Sequence, residues 1–78
     1  MKVQLESTTK VVEFTTKDGG TCQARIWEGV TESGIPVHAY VTRIAVGEDE
    51  DTGQFERELT ECAKPSAAIE AIPLRMIL

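Results

Sequence analysis

The chain has 78 residues, with 13 acidic and 8 basic side chains and a formal net charge of −5. This length predicts a single small domain over residues 1–78, which buries only about 60% of the surface of its unfolded chain. The acidic balance argues against direct binding of nucleic acid, because that affinity comes from clustered Lys and Arg. No apolar stretch approaches the ~20 residues that cross a bilayer, and residues 1–10 lack the apolar segment of a secretory signal. We therefore expect a soluble cytoplasmic protein without a membrane partner.

Three segments have the composition and the boundaries of β-strands. Residues 11–16, 21–30 and 35–46 are rich in Val, Ile, Thr and aromatic residues, and glycine-containing turns at residues 17–20 and 31–34 separate them. Such runs joined by short turns predict a three-stranded antiparallel β-meander.

The length of each turn decides which side chains share a face of the sheet, because the side-chain period of a strand is two. A three-residue turn with a glycine bulge at residues 18–20 places Phe14 opposite Ala24. A two-residue turn would place Phe14 opposite Gln23 and mix polar with apolar side chains. We favour the first turn, because it gathers one apolar face from Val12, Phe14, Ala24, Ile26, Ala39 and Val41.

After residue 47 the pattern changes to that of a helix. Phe55, Leu59 and Cys62 recur at i, i+4 and i+7 with charged residues between them, which predicts an amphipathic helix of about three turns. Thr52 is its expected N-cap, and Pro65 is expected to end it. The apolar stripe of this helix is the predicted cover of the sheet.

The C-terminal segment is unusually apolar. Ser66 is expected to cap a short helical turn over residues 67–70, and five of the last seven residues are apolar, counting Ile72, Leu74, Met76, Ile77 and Leu78. Since terminal residues are usually polar and frayed, this segment either adds a strand to the sheet edge or packs on another copy. We expect a homodimer or a higher oligomer whose interface includes Leu74, Met76, Ile77 and Leu78. The predicted fold class is α+β: a three-stranded antiparallel β-meander covered by one amphipathic helix, with an apolar C-terminal strand or arm.

One cluster of aromatic and cationic side chains is suited to binding a small ligand. A four-residue loop at residues 31–34 places His38 opposite Trp27 and Tyr40 opposite Arg25, so aromatic and cationic groups gather on the face away from the core. Such a face suits a nucleotide, a nucleobase or a side chain of a partner. The alternative is that these are ordinary cross-strand pairs, with Trp27 and Tyr40 covered by the chain termini or by a second subunit.

The negative charge is concentrated in one block. Residues 1–47 contain five acids and five bases, whereas residues 48–63 contain seven acids and only Arg57 as a base. The acids are Glu48, Asp49, Glu50, Asp51, Glu56, Glu58 and Glu61. A calcium-binding EF-hand loop that begins at Asp49 needs an acidic or amide residue at its fifth position, glycine at its sixth and Glu at its twelfth. These positions hold glycine, glutamine and threonine, so the pattern does not match. The block is either a solvated loop and helix face or an acidic surface for a basic partner.

No pattern of catalytic or metal-binding residues is present in the sequence. Cys22 and Cys62 are forty positions apart without zinc-ligand spacing, and we expect both to be reduced thiols in the core. His38 is the only histidine, and the predicted register places it on the opposite face from Cys22. We therefore predict a protein that is not an enzyme and needs no cofactor or metal.

Residues 24–29, 34–37, 42–46 and 71–75 together resemble small uncharacterised accessory proteins encoded by bacteriophages and prophages. The resemblance implies a protein that acts in the cytoplasm of a host cell by binding a host protein, and some such proteins inhibit antiviral defence. It assigns no functional residue. Our leading hypothesis is an accessory protein whose acidic block binds a basic surface of a host macromolecule. The alternatives are a protein that binds or sequesters a signalling nucleotide through Arg25, Trp27, His38 and Tyr40, and a structural component of phage assembly.

Overall fold

The computed structural model describes residues 1–77, which form four strands and two short helices. In chain order these are β1 (Val3–Thr15), β2 (Thr21–Thr31), β3 (Pro36–Val41), α1 (Thr52–Leu59), α2 (Ala67–Glu70) and β4 (Arg75–Ile77). The strand order in the sheet is β3-β2-β1-β4. Consecutive strands from β1 to β3 are antiparallel, and β4 is parallel to β1, so the sheet is mixed.

The prediction of an α+β fold is wrong, because the protein is mostly β and its sheet curls into a half-barrel. Two elements account for the difference. Strand β1 begins at Val3, eight residues earlier than predicted, and α1 buries no residue against the sheet. Strand β4 is the C-terminal strand that the sequence offered as one of two alternatives for this segment. The early part of β1 escaped prediction because the side chains it turns to the core face, Glu6, Thr8 and Lys10, are polar and hide the alternation of a half-buried strand.

Both hairpins contain a three-residue loop that ends on a glycine in the left-handed region. Gly19 has φ +88° and Gly34 has φ +87°, a conformation that side chains rarely adopt. The amide of Thr16 donates to the carbonyl of Gly20 at 2.8 Å, and the amide of Thr31 donates to the carbonyl of Ile35 at 3.0 Å. This is the turn with a glycine bulge that the sequence predicted for the first hairpin, located one residue earlier.

The first hairpin keeps the predicted faces, and the second reverses them. Phe14 is opposite Cys22 instead of Ala24, a shift of two residues that leaves Val12, Phe14, Ala24 and Ile26 on the buried face as predicted. In the second hairpin the loop is one residue shorter than predicted, so Tyr40 is opposite Ile26. A shift of one residue turns every side chain of β3 to the other face. Ala39 and Val41 therefore lie away from the core.

The predicted cover of the core is also wrong, because α2 occupies the place expected for α1. Ile69 of α2 is 5% exposed and completes the buried cluster, and Ile72 and Met76 pack against its edge. Helix α1 buries no residue, and Leu59 is 41% exposed. Both helices have a stripe of apolar side chains, so sequence periodicity does not distinguish which of them covers the sheet.

Polar contacts at both ends hold α2 over the core. As predicted, Ser66 caps the helix, and its hydroxyl accepts from the amide of Ile69. The carboxylate of Glu28 accepts from the amide of Ser66 at 2.8 Å, and the ammonium of Lys10 donates to the carbonyl of Glu70 at 3.0 Å. An anion at the N-terminus and a cation at the C-terminus match the helix dipole, which stabilises a helix too short to be stable alone.

A bulge in β1 links the sheet to the segment between the helices. Residues 8–10 face the single residue Ile26, whose carbonyl accepts from the fully buried hydroxyl of Thr8 at 2.7 Å. Thr8 also forms an isolated parallel bridge with Ala63. The bulge therefore marks the point where the chain after α1 meets the edge of the sheet.

Within residues 1–77 the helices are too short and too polar to cross a membrane. Both cysteines are free; Cys62 is half-buried and Cys22 is exposed, so the expectation that Cys22 is a core thiol is wrong. Cys22 lies opposite Phe14, close to the turn of the first hairpin.

Candidate functional site

A cleft of about 470 Å³ separates helix α1 from the sheet face that lies away from the core. Its size is within the range of about 300–1,000 Å³ that is usual for small-molecule sites. Side chains of β1, β2 and the end of β3 form one wall, and residues 42–44 and α1 form the other. The side chains of the lining that can donate or accept hydrogen bonds are those of Ser7, Gln23, Arg25, Trp27, Thr42, Arg43 and Glu58.

The alternation of strand β2 explains why Arg25 and Trp27 reach this cleft. Ala24 and Ile26 point into the core, so the residues on either side of them point to the opposite face. From the other wall, Phe55 and Leu59 approach at i and i+4, the spacing that places two side chains on one face of a helix. The apolar stripe that was expected to cover the core instead lines the cleft.

Trp27 forms the aromatic part of the sheet wall. Its direct neighbours across the strands are Ser7 and Ala39, both small residues. Because neither neighbour is large enough to cover an indole, Trp27 remains half-buried and borders the cleft. Within residues 1–77 the chain termini leave Trp27 half-buried and Tyr40 exposed, so they do not cover these two side chains as the alternative prediction had it. Their cover by a second subunit stays a prediction.

Arg25 is held in position by the backbone of the bulge. Its Nη1 donates to the carbonyl of Thr8 at 2.8 Å, and no other hydrogen bond joins this side chain to residues 1–77. A guanidinium has five N–H donors, so the remaining donors are available to an anionic group in the cleft. Arg43 is exposed, and its side chain makes neither a hydrogen bond nor an ion pair with the described part of the chain.

Comparison of the chain with protein-family models, with curated proteins and with solved structures gives no match. The site is therefore interpreted from its own chemistry. The resemblance to phage-encoded accessory proteins stays a prediction.

The structure divides the predicted aromatic and cationic cluster between the two faces of the sheet. Arg25 and Trp27 line the cleft, whereas Tyr40 lies on the core face with its ring 5.2 Å from that of Phe14 in an edge-to-face arrangement. His38 is beside Tyr40, with Nε2 3.3 Å from the phenolic oxygen. The cause is the shorter second loop. Ala39 and Val41 occupy the positions opposite Trp27 and Arg25 that were predicted for His38 and Tyr40.

The acidic block remains in solvent. All seven of its acids are exposed: Glu48, Asp49, Glu50, Asp51, Glu56, Glu58 and Glu61. Within residues 1–77 the one ion pair is Lys2 with Glu32 at 4.0 Å, so none of the seven has a cationic partner. Asp51, rather than the predicted Thr52, caps α1 by accepting from the amide of Gln54 at 3.0 Å. Among the described residues no group of His, Cys, Asp and Glu is arranged to hold a metal ion.

The predicted oligomer interface is partly used by the protein's own sheet. Met76 lies opposite Phe14 and is half-buried against the core. Leu74 and Ile77 are 64% and 83% exposed. Leu78 lies outside the described residues.

Sequence reasoning did not single out Arg43 as a residue of the site. Arg43 follows β3 in a segment that was predicted to continue the strand to residue 46, and its local pattern carries no signal of a cleft. Its position depends on where the chain leaves the sheet and turns towards α1, which is a tertiary property.

Proposed function

We propose that this chain is a non-enzymatic binding protein that docks on a basic surface of another macromolecule through its acidic block, residues 48–61. The observation that supports the proposal is the exposure of all seven acids without a cation within ion-pair distance in residues 1–77. Arg57, the only base in the block, is hydrogen-bonded to the side-chain carbonyl of Gln54 at 2.6 Å. The surface therefore presents uncompensated negative charge to a partner.

Concentrated charge of one sign acts mainly on the rate of association. It steers a partner of opposite charge into contact and suppresses binding to acidic surfaces. A basic patch that normally contacts phosphates is the natural counterpart. With the phage resemblance as context, the partner is a host protein that handles nucleic acid in the cytoplasm, including one that acts in antiviral defence.

The test compares two charge-reversed variants that change the net charge equally. One replaces Glu56, Glu58 and Glu61 by Lys. The matched control replaces three exposed acids outside the block, Glu6, Glu32 and Glu70, by Lys. We expect the control to capture the same partner as the wild type from a host lysate and the block variant to lose it.

The rate of association with the purified partner is then measured against salt concentration. It should fall steeply with salt for the wild type and the control, because screening weakens long-range attraction. Equal binding by all three proteins would contradict the proposal. Loss of binding in both variants would show an effect of net charge alone and would also contradict it.

A second candidate function follows from the cleft. Arg25 and Arg43 offer donors for an anionic group, and Trp27 offers an aromatic surface for a planar ring, a combination that suits a nucleotide. A ligand present at a hundred times its dissociation constant stabilises the folded state by about 2.7 kcal/mol. Thermal unfolding in the presence of millimolar nucleoside phosphates, with inorganic phosphate as a comparison, measures this effect.

Substitution at an exposed arginine makes this second test specific to the cleft. We expect Arg43→Gln to reduce the ligand-dependent rise in melting temperature. Arg75→Gln, at an exposed arginine of β4 outside the cleft, should leave the rise unchanged. The absence of a rise with any nucleotide in the wild type would exclude this function.

A further inference from the structure

The protein exposes far more surface than a compact monomer of its mass. Its accessible area is 6072 Å². Folded monomers of 8.6 kDa expose about 4,700 Å², so the excess is about 1,400 Å². The radius of gyration is 14.2 Å, against about 11.5 Å for a compact chain of this length. A stable interface buries about 800 Å² on each partner, which this excess is large enough to supply.

The hydrogen bonds of the second hairpin show which backbone groups are free at the edge of β3. The amide of Thr31 donates to the carbonyl of Ile35, and in an antiparallel pair such bonded positions recur at every second residue. Val37, Ala39 and Val41 therefore bond to β2. The backbone N–H and C=O groups of His38 and Tyr40 point away from the sheet.

Strand β3 has few of the features by which proteins protect an exposed edge. Residues 34–42 contain no charged side chain, and the one proline at an outward position, Pro36, is the first residue of the strand, so the edge is open from Val37 to Val41. The other free edges within residues 1–77 are better protected. Strand β4 has only three residues, which include Arg75, and the N-terminal part of β1 lies beside Lys2 and contains Glu6. Short strands and charged side chains discourage pairing between sheets, so β3 is the edge open to it.

We propose that two copies of this chain form a dimer by antiparallel pairing of β3 with β3 around a two-fold axis. The backbone groups of His38 and Tyr40 supply the hydrogen bonds, and the two sheets become one continuous sheet of eight strands. Such an interface is self-complementary, because the same edge serves both copies. It covers Tyr40 and Ile35, which are 40% and 59% exposed in the single chain. The exposed tail residues Leu74 and Ile77 are not part of it.

The experiment measures molar mass by light scattering for the wild type and three variants. We expect the wild type to have twice the mass of the chain. His38→Pro removes an amide that β2 does not use, so it should give a folded monomer. His38→Lys, at an exposed side chain, places like charges at the axis and should also give a monomer. Ile77→Lys, at the other edge of the sheet, should remain a dimer.

Far-UV circular dichroism establishes that each variant is folded, and His38→Lys decides the matter if His38→Pro does not fold. Amide exchange provides an independent readout: the His38 and Tyr40 amides should be protected in the wild type and should exchange fast in the monomeric variant. A monomeric wild type overturns the proposal. So does a dimer that survives the folded His38 variants, and so does a dimer that Ile77→Lys dissociates.

Discussion

Replacing Ile69 by Ala tests which helix covers the core. Ile69 is 5% exposed and is the only residue of either helix in the buried cluster, which otherwise consists of Val12, Phe14, Ala24 and Ile26 on the sheet. An Ile→Ala change in a core costs about 2–5 kcal/mol. Because α2 has only four residues and can settle towards the sheet, we expect the lower part of this range, about 2–3 kcal/mol.

This loss is large for a protein of this size. A chain of 78 residues has a free energy of unfolding of roughly 4–12 kcal/mol. Each kcal/mol lowers the melting temperature of so small a domain by about 4–8 °C, so Ile69→Ala should lower it by roughly 10–20 °C. Ala also has a higher helix propensity than Ile by a few tenths of a kcal/mol, which works against the expected loss and makes the test stricter.

The matched control is Leu59→Ala in α1. Leu59 is 41% exposed and lies over the cleft, so we expect a loss below about 1 kcal/mol. Urea unfolding followed by far-UV circular dichroism measures both variants, with wild-type protein at the same concentration. A loss for Leu59→Ala equal to or larger than that for Ile69→Ala would refute the packing of α2 on the core.

Three further tests address separate parts of the fold. Lys10→Met removes the ammonium that binds the last carbonyl of α2, and urea unfolding should show a loss of about 1–2 kcal/mol. Gly29→Ala places a Cβ in clash with the backbone carbonyl of Gln4 in β1, so the melting temperature should fall sharply. Gly47→Ala, whose nearest neighbour is a side-chain atom at 3.5 Å, should be tolerated. The carboxylate of Asp18 accepts hydrogen bonds from the hydroxyl of Thr16 and from a backbone amide, and these lower its pKa. The ionised carboxylate therefore stabilises the fold at pH values above the unfolded-state pKa, and this stabilisation is lost as the pH falls through the folded-state pKa. An NMR titration of Asp18 should show a pKa below the ordinary value and a rise towards it in Thr16→Val; an unchanged pKa in that variant would contradict this cause.

Local sequence determined several features of this protein correctly. The glycine turn of the first hairpin and the apolar alternation of its strands were enough to place Val12, Phe14, Ala24 and Ile26 on one buried face. The short helix capped by Ser66 was also predictable, because capping depends on a few neighbouring residues. The exposure of the acidic block followed from its charge, since seven acids without nearby bases remain in water.

Tertiary structure decided which face of the sheet the side chains of β3 take and which distant segments come into contact. One residue fewer in the second loop turned Tyr40 to the core face and left Trp27 at a cleft. Two helices have apolar side chains that could cover the same face of the sheet, and the contacts of Glu28 and Lys10 with the ends of α2 favour the shorter one. Local patterns show that a helix has an apolar stripe, but they do not show which surface that stripe meets. The cleft arises from this choice, because α1 is left over the opposite face of the sheet. The free edge of β3 follows from the strand order, in which β3 is an outer strand.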